Sequence, residues 1–509
     1  MIPLEWMPPL MFGGLIIFML IGFPVAFSLM AAGLFFSVIA ISEGFFGMPF
    51  LQAIPQRIFG SVLANDLLLA IPFFTFMGAI LERCGLAEEM LDSMGQLFGR
   101  VRGGLGYSVI IVGFILGAIT GTVAAQVIAM AMISLPVMMR YGYNMRYATG
   151  VLAASGTITQ LVPPSLVLIV LADQLKTQSG SADVGSMYLG AWGPSLLQIS
   201  LFALYTFFLS RVRPDYLPAV PESELTLKGW ALWKKCLMGI IPSAVLIFLV
   251  LGTIMTGIAT PTESGAMGAM GALLLAWLRR ASIPNLRDLI EQAYQNTMRI
   301  TAMVVFILIG STCFSVVFQG VDGGHWVEAL FSDLPGGWVG FLIVVNLFVF
   351  FLAFFLDFFE IAFIIVPMLA PVAVKLLSPV LLDSMNGNPQ AAASAALVWF
   401  GVMLCVNMQT SFMHPPFGFA LFYLRGVAPK EVKSSDIYWG ALPWVGLQLI
   451  MVAVVIAFPT LVTTLLDKPV AAVQSQDFNF TNGEEAKSDS PSKVDEDAPV
   501  IFQLDKPVK

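Results

Sequence analysis

The chain has 509 residues, 58% of them hydrophobic and 11% charged, with a mean hydropathy of +0.86. Composition this apolar excludes an ordinary soluble domain and makes lipid the solvent of the protein. The formal net charge of −7 comes from acidic residues gathered in the tail after Lys468 and in a few loops, and no basic patch suits nucleic acid. Cys84, Cys236, Cys313 and Cys405 have neither disulfide nor metal-ligand spacing, and His325 and His414 are far apart, so an enzyme site, a metal cluster and a cofactor are not expected.

A membrane-crossing helix needs about 20 apolar residues. In chain order, such segments lie at 5–21, 24–42, 66–82, 105–140, 147–171 and 187–210. A second set at 237–256, 262–278, 298–318, 337–378, 395–428 and 437–464 matches the first segment for segment. The chain therefore divides into a first repeat (1–211), a cytoplasmic linker (212–236), a second repeat (237–466) and an acidic tail (467–509) without apolar periodicity, expected to be disordered. No Lys/Arg-rich stretch precedes the first segment, and no cleaved signal peptide is expected. Stretches 86–99 and 281–297 mix charged and apolar residues at helical spacing and are expected along the membrane surface.

Two segments, 105–140 and 337–378, are too long for one crossing and carry small or polar residues at their centres; each reads as a re-entrant helical hairpin. Arg100, Arg102, Arg140, Arg146 and the basic linker place one set of loops in the cytoplasm, while the cation-poor loops 172–186, 319–335 and 379–394 face outward. On that assignment the two hairpins open to opposite sides, an inverted-topology repeat, and both termini fall in the periplasm. The repeat also reads directly: Pro136 precedes Pro163-Pro164 as Pro367 precedes Pro415-Pro416.

These proline pairs predict breaks in the helices at 147–171 and 395–428, because proline lacks an N–H and restricts the residue before it. A helix breaks within a bilayer only where other groups satisfy the freed backbone. The residues beside the breaks are Ser155, Thr157, Thr159 and Gln160 in one half and Asn407, Gln409, Thr410 and Ser411 in the other, an oxygen set suited to a hard cation such as Na+. Their alternative is ordinary hydroxyl bonding back to the helix. Thr120-Gly121-Thr122 marks the first hairpin tip, where helix N–H groups suit a substrate carboxylate. Asp357 marks the second; an ionised carboxylate deep in lipid costs at least ~2.5 kcal/mol, which favours a functional reading. Glu360, one turn on, reads as a protonated or packing residue, Glu263 equally as a helix cap or a substrate contact, and His414 as a packed neutral imidazole.

At these residues the sequence resembles the large membrane subunit, DctM type, of tripartite ATP-independent periplasmic (TRAP) transporters. The resemblance runs from about residue 10 to 465 through "IGFPVAFSL", "ATGVLAASGTITQLVPPSLVLIVLADQL", "GIATPTESGA", "FFLDFFEIAF" and "TSFMHPPFGFALFYLRGVAP". It implies an all-α polytopic inner-membrane protein working as a Na+-driven elevator for a small carboxylate. It implies two partners, a small DctQ-type membrane subunit and a periplasmic DctP-type solute-binding protein. Carried over by motif, it implies ion-binding roles for Gly121, Thr122, Ser155, Thr157, Asp357, Thr410 and Ser411. Thr120, Gln160, Asn407 and Gln409 are the candidates facing substrate. Val123 after the first tip and His414 before Pro415 depart from the family pattern, and the wording around the breaks leans toward the branch that carries 2-oxo and 2-hydroxy monocarboxylates, with C4-dicarboxylates open. The rival readings are a stand-alone proton-coupled organic-acid carrier and an intramembrane enzyme; no nucleophile stands at recognisable spacing from a base, and no phosphate-binding loop points to ATP.

Overall fold

In lipid, backbone N–H and C=O groups must be satisfied within their own segment, so every apolar stretch folds as helix. The computed structural model describes residues 3–466 apart from 226–228, 282, 284, 333, 355, 416 and 417; the acidic tail lies outside the described residues. The first half comprises α1 (Met7–Leu20), α2 (Val25–Ser42), α3 (Ala53–Arg57), α4 (Ala70–Arg83), α5 (Leu86–Phe98), α6 (Gly104–Thr120), α7 (Val123–Arg140), α8 (Met145–Thr157), α9 (Leu166–Gln174) and α10 (Val184–Val212). The second comprises α11 (Trp230–Met255), α12 (Pro261–Leu278), α13 (Leu286–Gly320), α14 (Gly323–Ser332), α15 (Gly337–Leu352), α16 (Phe358–Leu381), α17 (Pro389–Met408), α18 (Phe419–Val427), α19 (Ser434–Ala457) and α20 (Thr460–Thr463).

Among the described residues, eight helices are long and apolar enough to cross a membrane, and a pair spanning 48–63 and 66–83, bent by 50°, adds a ninth if taken as one. Large apolar side chains such as Phe27, Phe35, Val38, Phe248 and Met270 point outward. In water they would be a liability; in a bilayer they are solvated.

The packing is reciprocal between halves. α2 packs on α13 while α12 packs on α4; α1 meets α14 while α11 meets α5; α8 packs on α19 while α17 packs on α10. The α8–α19 contact runs backbone to backbone, since a Cβ on Gly150 would collide with the Gly440 carbonyl oxygen and one on Gly440 with the Arg146 carbonyl oxygen. In this way the last long helix of each half braces the broken helix of the other.

Three features differ from the sequence reading. Residues 281–297 do not form a separate surface helix: α13 is one helix of 35 residues, started by Asn285 accepting from the Arg287 N–H at 3.1 Å, with no Gly or Pro at 286–309 to end it. The stretch 319–335, read as a loop, contains α14, whose Trp326 packs on Phe12 with ring centroids 6.3 Å apart and whose Glu328 pairs with Lys375 of α16. The unassigned stretch at 48–63 folds into short helical turns, ended at Asn65 where the side chain accepts from Leu67 N–H at 3.0 Å. A helix, α5, does form at 86–98, and it packs on α6, α7 and α11.

Candidate functional site

Both long segments fold back on themselves. The first turns at Gly121, where φ of +62° is a left-handed conformation natural to glycine. Its arms lie side by side: Gln126 Nε2 donates to the Gly113 carbonyl at 2.6 Å. Thr122 is the N-cap of α7, yet its side chain makes no capping bond to the start of that helix. The Thr120 side chain lies outside the described part of the structure. At the second hairpin, between α15 and α16, the arrangement is the opposite. Asp357 caps α16 through a capping box, accepting from Glu360 N–H at 3.0 Å while its own N–H donates to the Glu360 carboxylate at 3.0 Å.

The first break falls between α8 and α9. One 3-10 turn, Ile158–Gln160, follows α8, and Leu161 to Ser165, including Pro163 and Pro164, leave the helix before α9 begins with Ser165 accepting from Val167 N–H at 3.2 Å. Part of the freed backbone is already used. Gln160 O accepts from Ser165 Oγ and from Cys405 Sγ, the latter at 3.2 Å, and Leu161 O accepts from Ser195 Oγ at 3.2 Å. The second break runs from the 3-10 turn Gln409–Phe412 to the start of α18; Pro415 lies in it, and Pro416 lies outside the described residues.

The two breaks adjoin. Cys405 of α17 reaches Gln160 of the first, and Thr157 Oγ1 of the first lies 3.8 Å from Met413 Sδ of the second. Each is walled by both hairpins: α6 packs on α8 and α18 on α7, as α15 packs on α17 and α16 on α9. Ser155, Thr157, Gln160, Asn407, Gln409, Thr410 and Ser411 are all buried within this assembly.

The hydrogen bonds sort these residues by what they can still bind. Thr157 donates its hydroxyl proton to Ala154 O at 2.9 Å, Thr410 to Asn407 O at 2.7 Å and Ser411 to Met408 O at 2.7 Å. A hydroxyl whose proton is committed to its own helix presents lone pairs elsewhere. Asn407 uses its Nδ2 on the carbonyl and side-chain oxygens of Asn346, at 2.8 and 3.1 Å, leaving Oδ1 without a partner. Gln409 is tied to Gln198 at 2.8 Å. Gln160 has neither its Nε2 nor its Oε1 in a hydrogen bond, and Ser155 Oγ is likewise unpartnered. Of the four candidates read as facing substrate, Gln160 is the one whose described amide makes no hydrogen bond at all.

Asp357 stands next to Phe358, whose ring packs on Phe412 of the second break with centroids 6.2 Å apart. With Glu360, Asp357 borders a cleft walled by Phe23 to Phe27 and by Ala302, Met303, Phe306 and Ile307 of α13. The D-x-x-E spacing of a capping box was visible in "DFFE" and explains both acidic residues together. Glu263 likewise closes a capping box with Thr260, at 2.8 Å to its N–H. His414 is buried and stacked on Phe354, ring centroids 4.2 Å apart, with Phe350 edge-on at 4.3 Å. Sequence reasoning passed over Gln198, Asn346 and Gln448, and weighed Cys405 only for a disulfide or metal role. The two glutamines carried a signal: each is a lone amide within a long apolar helix.

A second polar space, about 760 Å³, opens between these helices and α13. It is lined by Arg57, Asn65, Asp173, Lys176, Ser311 and Ser315 among others. Asn65 Nδ2 donates to Asp173 Oδ1 across it at 2.8 Å, and Ser311 Oγ donates to Phe363 O at 2.6 Å.

Lipid-facing helices around two adjoining, oxygen-lined interruptions define a multi-pass membrane carrier. Residues 12–461 match the family model of the tripartite ATP-independent periplasmic transporter, DctM component, and the chain belongs to that family. It is therefore an integral inner-membrane protein, a large permease subunit serving organic-acid uptake in a family that works with a small membrane subunit and a periplasmic binding protein. It is 27% identical to the C4-dicarboxylate TRAP transporter large permease protein DctM of Rhodobacter capsulatus over 466 residues, 89% of this chain and 97% of that one. It is 25% identical to the sialic acid TRAP transporter large permease protein SiaM of Vibrio cholerae over 86% of this chain and 93% of that one. It is also 25% identical to the isethionate TRAP transporter permease protein DctMQ of Oleidesulfovibrio alaskensis, over 89% of this chain and 65% of that one. In fold it is similar to the crystal structure of the Alcanivorax borkumensis YdaH transporter, with a TM-score of 0.53 at 14% identity, covering 81% and 89% of the two chains.

Proposed function

We propose that this chain carries a small organic anion inward in symport with Na+, the cation held by the oxygens of the two breaks and the anion between them. The observation that carries the reading is the division of groups just described. Thr157, Thr410, Ser411 and Asn407 offer oxygens with their protons or amide donors already engaged, which suits a cation and repels an anion. The anion is met by donors: Gln160 Nε2 and the start of α7, where Thr122 leaves the helix end uncapped by its side chain. Gly121 lets the chain turn close to the bound ions.

The hairpins are re-entrant in this reading, and the body formed by α6 to α10 with α15 to α20 slides against α1 to α5 with α11 to α14. The Asn65–Asp173 contact is a small polar tie that such a slide breaks. A DctQ-type subunit flanks the fixed part and a DctP-type binding protein delivers the substrate from the periplasm. The isethionate relative is named as a DctMQ permease protein, which supports a joined role for the two membrane subunits. The substrate class is a carboxylate or another small acid: relatives are named for C4-dicarboxylates, sialic acid and isethionate.

Reconstitution with the two partner proteins tests this reading. Uptake is expected to follow an imposed Na+ gradient, to require the binding protein, and to persist when the pH gradient is collapsed. Uptake that follows the pH gradient and ignores both Na+ and the binding protein identifies a proton-coupled carrier instead.

A further inference from the structure

Two glutamines occupy equivalent places in the two halves. Gln198 stands fourteen residues after the first residue of α10, Val184, and Gln448 fourteen after the first residue of α19, Ser434. Both are fully buried, and each reaches the broken helix of the other half. Gln198 Nε2 donates to Gln409 Oε1 in the second break at 2.8 Å; Gln448 Nε2 donates to Thr157 Oγ1 in the first at 3.0 Å.

The two contacts differ in one respect. Gln409 returns a bond, its Nε2 donating to Gln198 Oε1 at 3.3 Å, so that pair is closed on both sides. Thr157 cannot do the same, because its proton is given to Ala154 O. Gln448 Oε1 is left buried without a partner. The residue also sits at the seam of the two breaks, with Nε2 3.7 Å from Met413 Sδ. A buried carbonyl oxygen with no donor is unfavourable, and a side-chain amide oxygen is an ordinary ligand for a hard cation.

We propose that Gln448 is a cation ligand of the first break: its amide N–H fixes the Thr157 hydroxyl, and its Oε1 joins Thr157 Oγ1 in holding the coupling cation. Gln198, by contrast, only braces the second break. The proposal rests on the reading that Na+ binds at the breaks, and the test separates the two.

Purified full-length protein in detergent is titrated with NaCl against KCl at constant ionic strength while thermal unfolding is followed. Wild type is expected to be stabilised by Na+ and not by K+. Gln448→Met, of similar volume, is expected to raise the Na+ half-saturation by about tenfold or more, the scale of one lost ligand interaction. Gln198→Met is expected to stay within about twofold of wild type, and Gln448→Glu, which keeps an oxygen at the position, within about threefold. No Na+-specific stabilisation of wild type removes the Na+ reading and this proposal with it. Na+-specific stabilisation of wild type with an unchanged half-saturation in Gln448→Met, or an equal rise in both methionine variants, overturns the ligand role alone. A Gln448→Glu variant as weak as Gln448→Met overturns it too.

Discussion

Gln160→Leu is expected to cut uptake by about 100-fold while leaving the protein as stable as wild type or more so. The two halves of that result have one cause. Both polar atoms of the Gln160 amide are buried without a hydrogen-bond partner, a condition that costs about 1–3 kcal/mol for each group. Leucine is close in size and has no polar atom to strand, so the substitution relieves that cost instead of opening a cavity. On the proposed reading the two Nε2–H donors find their partner in the transported anion; Oε1, an acceptor, does not contact it. Two lost Nε2–H bonds of about 1.4 kcal/mol each correspond to the 100-fold loss. Initial uptake rates in proteoliposomes and the unfolding midpoint of the purified variant check the two halves. A midpoint several degrees lower with uptake intact makes Gln160 a structural residue of the break.

Asp357 bears the second large effect, which depends on its place at the start of α16. Asp357→Ala removes the side-chain acceptor for the Glu360 N–H, a loss of about 1 kcal/mol at an N-cap, and loosens the hairpin tip. Uptake is expected to fall more than tenfold, with insertion into the membrane unchanged. Asp357→Ser keeps an oxygen able to cap and is expected to recover at least half of wild-type uptake; Glu360→Gln, still able to complete a capping box, is expected to be tolerated. The comparison of Ser with Ala is the informative one. A serine variant as defective as the alanine variant makes the charge indispensable and returns Asp357 to the cation site that its sequence position suggests.

Much of the architecture was legible because lipid leaves the backbone few choices. Apolar segments of sufficient length had to be helices, and the proline pairs at 163–164 and 415–416 marked the interruptions. What could not be read was the fate of each polar atom. Thr157, Thr410 and Ser411 looked alike as hydroxyls, and only their bonds to Ala154, Asn407 and Met408 reveal which lone pairs stay free. Asp357 stood out by its charge, yet its capping partner three residues on carried equal weight. The reach of Gln198 and Gln448 into opposite halves depends on a long-range packing that no local pattern encodes. Helix α14 escaped notice for a different reason: with ten residues it is too short for a membrane ruler, and its role is to pack on α1 and α16.

The most direct test places single cysteines at Ser155, in the last turn of α8 before the first interruption, and at Ser411, in the turn that opens the second, on a background whose four native cysteines are replaced by alanine. A small membrane-permeant thiol reagent is applied in NaCl and in KCl. Na+ is expected to slow modification at both positions together, since the proposed cation is held by the oxygens beside both breaks. Modification that proceeds at the same rate in both salts at either position contradicts that placement of the cation.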